Sequence, residues 1–362
     1  MGLNPFKKPS YVGIDIGHHA IKAVQIDRVG QGWKISRAGW VRTPEDSVKE
    51  GVVVDAPAVA AAIRQVMRES HIAATAACIA VAGGSVVVRN VRIPKMPEAT
   101  LRKSIKYEAG RYVPSSVEDS YIEFEIVGEA DDNQMDVLIV AAPKEIVESR
   151  VKACEAAGLE VEVVDVEAFA SYRCLLECDP ANAYQGQTIA IVDIGGSTTS
   201  MSVISQGTFA MARSLSQGGQ TWTDALKNYF RLSEDDAESG KAQLDLSELA
   251  ADAAPMENPP LRVVQPLIDD LIREVRRSLN YFQSQAQEGT GGRAVDTVVL
   301  SGGAAKLPGL AEYFAHKLGI PTISLGALDN VRFSFAGPGE AGHGLDLAVA
   351  SGLAMRPSVK AA

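Results

Sequence analysis

The chain has 362 residues, of which 46% are hydrophobic and 22% charged, enough for two or three domains with cores of their own. Its formal net charge is −10 at pH 7, an acidic balance that argues against nucleic-acid binding, which needs clustered Lys and Arg to displace counterions. No segment approaches 18 uninterrupted apolar residues, so none reads as a membrane-spanning helix.

Residues 1–9 carry two lysines and no apolar stretch of a secretory signal, and are expected to be a flexible start. Strands are expected at 11–16, 21–27 and 33–41. A helix over 56–70 puts Val59, Ile63, Val66 and Met67 on one face, and a strand at 78–81 stops at Gly83-Gly84. From residue 85 the pattern changes. A strand at 85–93 is broken by Pro94-Lys95-Met96-Pro97, and an amphipathic helix at 98–112 stops before Pro114. Strands at 121–127 and 135–141 make a hairpin around Asp131-Asp132-Asn133. Pro143 opens a helix that Gly158 ends, and a strand follows at 159–164. This stretch reads as a strand-helix-strand-strand insert, separate from the first sheet.

The second half restarts with a strand at 188–194, the turn Gly195-Gly196-Ser197-Thr198 and a strand at 199–205. Helices fit 220–230 and 233–243, where Ser233 with Asp236 resembles a capping box. Residues 250–260 read as a loop. A long helix over 262–286 carries Val264, Leu267, Ile268, Leu271, Val275, Leu279 and Phe282 at helical spacing, and Gly289 to Gly292 break it. A strand at 295–300 precedes a helix opened by Pro308. Alternating strands and helices argue for an α/β fold. Cys78, Cys154, Cys174 and Cys178 show no Cys-x-x-Cys spacing, and no histidine sits at metal-ligand spacing from Cys174 and Cys178, so they read as reduced thiols.

Two short segments repeat: Ile14-Asp15-Ile16-Gly17 and Val192-Asp193-Ile194-Gly195, each on a strand-turn-strand pattern. An aspartate ending an apolar strand needs solvent or a partner. The glycine lets backbone amides approach phosphate oxygens. The aspartate can hold Mg²⁺ through waters. A third signal is the strand ending Leu300-Ser301-Gly302-Gly303-Ala304, whose turn can pass under a nucleoside. A fourth is Glu238 and Lys241, three apart on one helix face.

Asp15-x-Gly17, Asp193-x-Gly195-Gly196-Ser197-Thr198, Ala237-Glu238-x-x-Lys241 and Gly302-Gly303-Ala304, in that order, resemble the actin- and FtsA-like superfamily of ATP-binding proteins. No Gly-x-x-x-x-Gly-Lys-Ser/Thr supports a P-loop instead. Arg92-Ile93-Pro94-Lys95-Met96-Pro97-Glu98, Leu101-Arg102-x-x-Ile105-x-Tyr107-Glu108-Ala109 and Asp165-Val166-Glu167-Ala168-Phe169 resemble the PilM family of type IV pilus assembly proteins.

That resemblance implies an FtsA-like two-domain fold with subdomain 1A at 10–84 and 166–187. An insert called 1C follows at 85–165, subdomains 2A/2B at 188–356 with a final helix returning toward 1A, and a tail at 357–362. It implies ATP and Mg²⁺ as cofactors. Asp15 and Asp193 would sit near the metal. Gly17, Lys22, Gly195, Gly196, Ser197 and Thr198 would hold phosphates; Glu238 and Lys241 would meet the ribose and base edge; Gly302, Gly303 and Ala304 would lie under the adenine. His18, His19 and Ala20 depart from the small hydroxyl residues usual after the first turn. Asp165 and Glu167 are the candidates for positioning water or metal, with slow hydrolysis at best. The implied partner is the cytoplasmic N-terminal peptide of a PilN-like inner-membrane protein, besides other pilus components and self-association. Its groove would use Val87, Arg89, Arg92 and Met96, at the cytoplasmic face of a bacterial inner membrane. An FtsA-type filament former, a sugar or acetate kinase, and a component of a related secretion or competence system are the competing readings. The kinase is disfavoured by the compact insert, and the filament former by a C-terminus too short and polar for a membrane helix.

Overall fold

The computed structural model describes residues 10–30, 32–113, 116–129, 133–177, 183–250, 258–285, 294–329, 333–335 and 344–358. The expectations for residues 1–9, for the turn at 131–132, for most of the 250–260 loop, for the break at 289–292, for Cys178 and for the tail beyond 358 lie outside them.

In chain order come strands β1 (Tyr11–Ile16), β2 (Ala20–Val29), β3 (Gly32–Arg42), β4 (Val48–Lys49) and β5 (Val52–Val53), helix α1 (Ala56–Glu69) and β6 (Ala76–Val81). They are followed by β7 (Val87–Pro94), α2 (Glu98–Ala109), β8 (Ser120–Glu129), β9 (Gln134–Pro143), α3 (Lys144–Ala156), β10 (Glu160–Val166) and α4 (Glu167–Tyr172). Next are β11 (Thr188–Ile194), β12 (Thr199–Ser205), β13 (Thr208–Leu215), α5 (Gly219–Phe230), α6 (Glu234–Ala242), α7 (Ser247–Ala250) and α8 (Pro259–Ser284). The last are β14 (Thr297–Ser301), α9 (Leu310–Leu318), β15 (Thr322–Ser324), β16 (Phe333–Phe335) and α10 (Ala348–Met355). They fall into two compact units, Met1–Val81 with Glu145–Pro180 and Ala327–Ala362, and Ala82–Lys144 with Ala181–Gly326.

The first unit is built on a sheet of order β10-β6-β1-β2-β3-β16, in which β10, β6 and β1 run parallel. Asp55 caps α1, its Oδ1 accepting from the Ala58 amide at 3.0 Å. The apolar stripe Val59, Ile63 and Val66 of α1 is buried with Val12, Ile14 and Ile21 of the sheet. On α10 the small residues bring backbones together: a Cβ on Gly352 would lie 1.9 Å from the Ala170 carbonyl oxygen, and one on Gly13 2.0 Å from that of Ala350.

The second unit carries a sheet of order β15-β14-β11-β12-β13-β7-β9-β8. Its main core joins Val192, Met201 and Val298 of the sheet to Trp222 and Leu226 of α5, Val264 and Leu271 of α8, and Phe314 of α9. Strands β7, β9 and β8 with α2 bury a core of their own, including Val91, Ile93, Leu101, Ile105 and Ile139. β7 meets β13 through one residue pair, Met211 with Arg89, and Asn90 Nδ2 donates to the Phe209 carbonyl at 2.7 Å.

The insert expected over 85–165 is divided. Its strand-helix-strand-strand part, β7-α2-β8-β9, lies in the second unit, whereas α3, from its second residue, and β10 lie in the first. β10 extends the first sheet, with Glu160 opposite Ala76 of β6. A parallel pair needs a long crossover, so local pattern does not reveal it. Two boundaries also move. Asn258 caps α8, which opens on Pro259 and Pro260, and α9 begins at Leu310, after Gly309 in the left-handed conformation rather than at Pro308.

Two glycine substitutions separate crowding from helix propensity. Gly352→Ala is expected to lose roughly 1–3 kcal/mol through overpacking. Gly240→Ala, inside α6 with open space at its Cβ, is expected to gain roughly 0.5–1 kcal/mol. Urea unfolding of both variants checks the two signs. Burial also pushes the Cys78 and Cys154 thiols from 9.0 up to about 12. Between those values the unfolded chain loses its thiol protons while the folded chain keeps them, so stability falls as pH rises through this window. The urea midpoint should drop above pH 9, and more shallowly in a Cys78→Ala/Cys154→Ala variant.

Candidate functional site

The first turn follows from the end of β1. Asp15 is 6% exposed, and its register partner on β2 is Lys22, whose Nζ lies 2.8 Å from Asp15 Oδ2. The Gly17 amide donates back to the Ala20 carbonyl at 3.1 Å, and a Cβ on Gly17 would come within 2.8 Å of that oxygen. Thr43, just beyond β3, donates from Oγ1 to the Gly17 carbonyl at 2.7 Å. His18 is exposed and His19 half-buried. Among the described residues, no three His, Cys, Asp or Glu side chains are grouped to hold a metal.

The second turn repeats the first. Asp193 lies near the end of β11, the Gly195 amide donates to the Thr198 carbonyl at 3.0 Å, and a Cβ on Gly195 would lie 2.9 Å from that oxygen. The sequence repeat is thus one hydrogen-bonding pattern used twice. Here α5 packs onto the turn. The Gly219 amide donates to the Gly195 carbonyl at 2.9 Å and the Gln220 amide to that of Gly196 at 2.8 Å. A Cβ on Gly218 would fall 2.4 Å from the Gly196 oxygen. The turn therefore sits against the electropositive end of a helix.

The other two motifs of the second half converge on the same place. Gly302, at the end of β14, has φ +91°, and a Cβ there would lie 2.6 Å from Asp193 Oδ1 and 2.5 Å from the Ile194 carbonyl. A Cβ on Gly219 would lie 2.9 Å from that of Ala304. Ser233 caps α6 by accepting from the Asp236 amide at 3.1 Å, as the sequence pattern predicts. Lys241, 8% exposed, donates to Glu238 Oε2 at 2.7 Å, Thr223 Oγ1 at 2.9 Å and the Gly219 carbonyl at 3.3 Å. The Thr223 hydroxyl donates to Glu238 Oε2 at 2.6 Å. Lys241 thus ties α6 to the first turn of α5. Ser197 and Thr198 are half-buried, and Gly303 is exposed.

Asp165 and Glu167 are placed differently. Asp165 is the next-to-last residue of β10, with Oδ1 accepting from the Val166 amide at 2.8 Å and Oδ2 in an ion pair with Arg173 Nη2 at 3.0 Å. Arg356 Nε lies 3.6 Å from the same oxygen. The Arg173 guanidinium also donates to the Gly352 carbonyl at 3.0 Å, so the group joins β10, the end of α4 and α10. Glu167 opens α4 and is half-buried.

Of the expected partner residues, Val87 and Met96 pack partly buried against the α2 core. Arg92 is paired with Asp136 across the β7–β9 ladder, at 2.9 and 3.2 Å. Arg89 is exposed. Sequence reading missed Gly218, Gly219, Thr223 and Thr43. The Gly-Gly pair ahead of an amphipathic helix was a usable signal; the two threonines carried none.

The family model described as Type IV pilus assembly protein PilM matches residues 13–358. The chain belongs to the PilM family. A solved PilM-PilN type IV pilus biogenesis complex contains a chain 25% identical to this one, with a TM-score of 0.82, covering 96% of this chain and 98% of that one. The cell division protein FtsA of Enterococcus hirae is 22% identical over 87% of this chain and 77% of its own length. FtsA of Bacillus subtilis is 27% identical over 29% of this chain, which spans only 23% of that protein. The fold is actin-like: MreB5 of Spiroplasma citri, solved with AMPPNP, aligns at a TM-score of 0.53 and 15% identity over 98% of both chains. In the PilM-family chain, the three motifs of the second half come together in one unit, at the ends of β11 and β14.

Thr223→Val should leave Glu238 with one donor fewer and Lys241 with one acceptor fewer. A loss of about 1–2 kcal/mol is expected in urea unfolding, with Lys241→Met on the Thr223→Val background adding less than it does alone.

Proposed function

We propose that this PilM-family chain is a nucleotide-holding scaffold of type IV pilus assembly. Its partner is the cytoplasmic N-terminal segment of a PilN-like inner-membrane protein. The observation that carries the nucleotide reading is the repeated turn. Gly17 and Gly195 each close on the third residue after them, and each stands two residues after an aspartate near a strand end. At both, a Cβ would strike a backbone oxygen, so neither turn admits a side chain at the glycine. Such turns bring amides and a carboxylate to a phosphate and its cation. Mg²⁺ would draw most of its ligands from water and phosphate, with Asp15 and Asp193 in reach of those waters.

Lys22 would act as a point charge toward phosphate. Glu238, Lys241, Gly302, Gly303 and Ala304 would form the nucleoside side of the site, Lys241 by holding α6 against α5. The bound metal ion would neutralise phosphate charge. Asp165 is committed to Arg173, which supports a holding role for it and leaves Glu167 as the candidate for positioning water. Hydrolysis is accordingly slow, and the nucleotide acts as a structural ligand.

The PilN reading rests on family membership and on the neighbour solved as a PilM-PilN complex. Among the described residues no helix is long and apolar enough to cross a membrane. The protein would therefore reach the inner face of the membrane through its partner. Exposed Arg89 is the side chain of the four candidates best placed to meet a peptide.

Purified protein, heated to release bound nucleotide and assayed by chromatography, should yield near-stoichiometric ATP, and Asp193→Ala should yield almost none. A wild type that releases no nucleotide and gains no thermal stability from Mg-ATP would refute the reading. Titration with a peptide of the PilN-like N-terminus should saturate, and Arg89→Glu should weaken it roughly three- to tenfold if a charged rim contact is lost. Binding unchanged by that variant would remove Arg89 from the groove.

A further inference from the structure

Arg150, on α3, is 4% exposed and belongs to none of the motifs described above. Its Nε donates to the Gly51 carbonyl at 2.9 Å, and its Nη1 to the carbonyls of Ile16 at 3.2 Å and Ala80 at 3.1 Å. These belong to the last residue of β1, the next-to-last of β6 and the turn between β4 and β5. Among the described residues, Arg150 has no carboxylate partner. A buried guanidinium held only by carbonyl dipoles keeps its full positive charge, which is unfavourable unless an anion compensates it.

The location says where that anion belongs. The peptide whose carbonyl Arg150 holds, Ile16–Gly17, is the one whose amide closes the first turn. β1 and β6 are parallel, so their C-terminal ends open on one side, where ligands of α/β sheets bind. Asp15 and Lys22 are paired with each other. Arg150 adds positive charge at this strand end beyond that pair.

We propose that Arg150 is a positioning residue for a polyphosphate at the Asp15–Gly17 turn. It fixes the strand-end carbonyls and supplies the charge that favours a multiply anionic ligand over a neutral one. This rests on the nucleotide reading of the preceding section and extends it to a residue outside the two aspartate turns.

The test uses the full chain and compares affinity for Mg-ATP with affinity for adenosine at low ionic strength, in Arg150→Met, Arg150→Gln and Arg150→Lys. The neutral variants should bind ATP roughly tenfold more weakly and adenosine as the wild type does. Arg150→Lys should keep the wild-type ratio of the two affinities while its melting temperature falls, because the fork of donors is lost. Neutral variants that bind ATP like the wild type, or that lose ATP and adenosine equally, overturn the proposal. Should neither neutral variant fold, Arg150→Lys decides: a preserved ratio supports the charge role and a fallen ratio overturns it. A wild type that binds neither ligand would sink the nucleotide reading, and this inference with it. That result differs from wild-type binding that Arg150 does not affect.

Discussion

The closing of a glycine amide onto a carbonyl three residues ahead is the constraint on which the rest of the site depends. It ends a buried strand abruptly, leaves an aspartate near the strand's last position and turns the chain back into an antiparallel partner. Only a residue without a Cβ fits, because the accepting oxygen stands under 3 Å from where that atom would be, 2.8 Å at Gly17 and 2.9 Å at Gly195. At the first turn the aspartate is answered by Lys22; at the second it stands against Gly302, where β14 ends.

Around the second turn, that geometry is reinforced by packing that permits almost no side chains. Gly218 and Gly219 let the start of α5 bond directly to the Gly195 and Gly196 carbonyls, and Gly302 lets β14 end against Asp193. The polar group of Lys241, Thr223 and Glu238 locks α6 to the same helix end. The hydrogen bonds are between neighbouring elements, so each depends on the main core behind them, where Trp222 and Leu226 hold α5 on the sheet. The first unit solves a similar problem with charge: Arg173 and Arg356 gather on Asp165, and Arg150 gathers strand-end carbonyls.

Much of the fold was legible in the sequence because the signals are local. The stripe of α8, the Ser233 cap, the start of α1 at Ala56 and the two Asp-x-Gly turns all depend on residues within one or two turns of each other. The four motifs were legible as a set because their order along the chain is specific in combination. Other features were not. β13 alternates only loosely, and β10 looked like the end of an insert because nothing in its own seven residues points to β6. Glu238 and Lys241 were legible as neighbours on one helix face, but not that the Lys241 ammonium is also bonded to a threonine 18 positions away.

The sequence by itself therefore determined the alternation of strands and helices, the two Asp-x-Gly turns and the family. Those follow from steric and hydrophobic rules that act over a few residues. Tertiary structure alone decided which sheet each strand joined, that α3 leaves the insert for the first unit, and which charges are paired. Those outcomes rest on contacts between residues far apart in the chain, such as Arg150 with Ile16 and Arg173 with Gly352. Whether a buried charge has a partner depends on where the backbone carries it, and no local pattern encodes that distance.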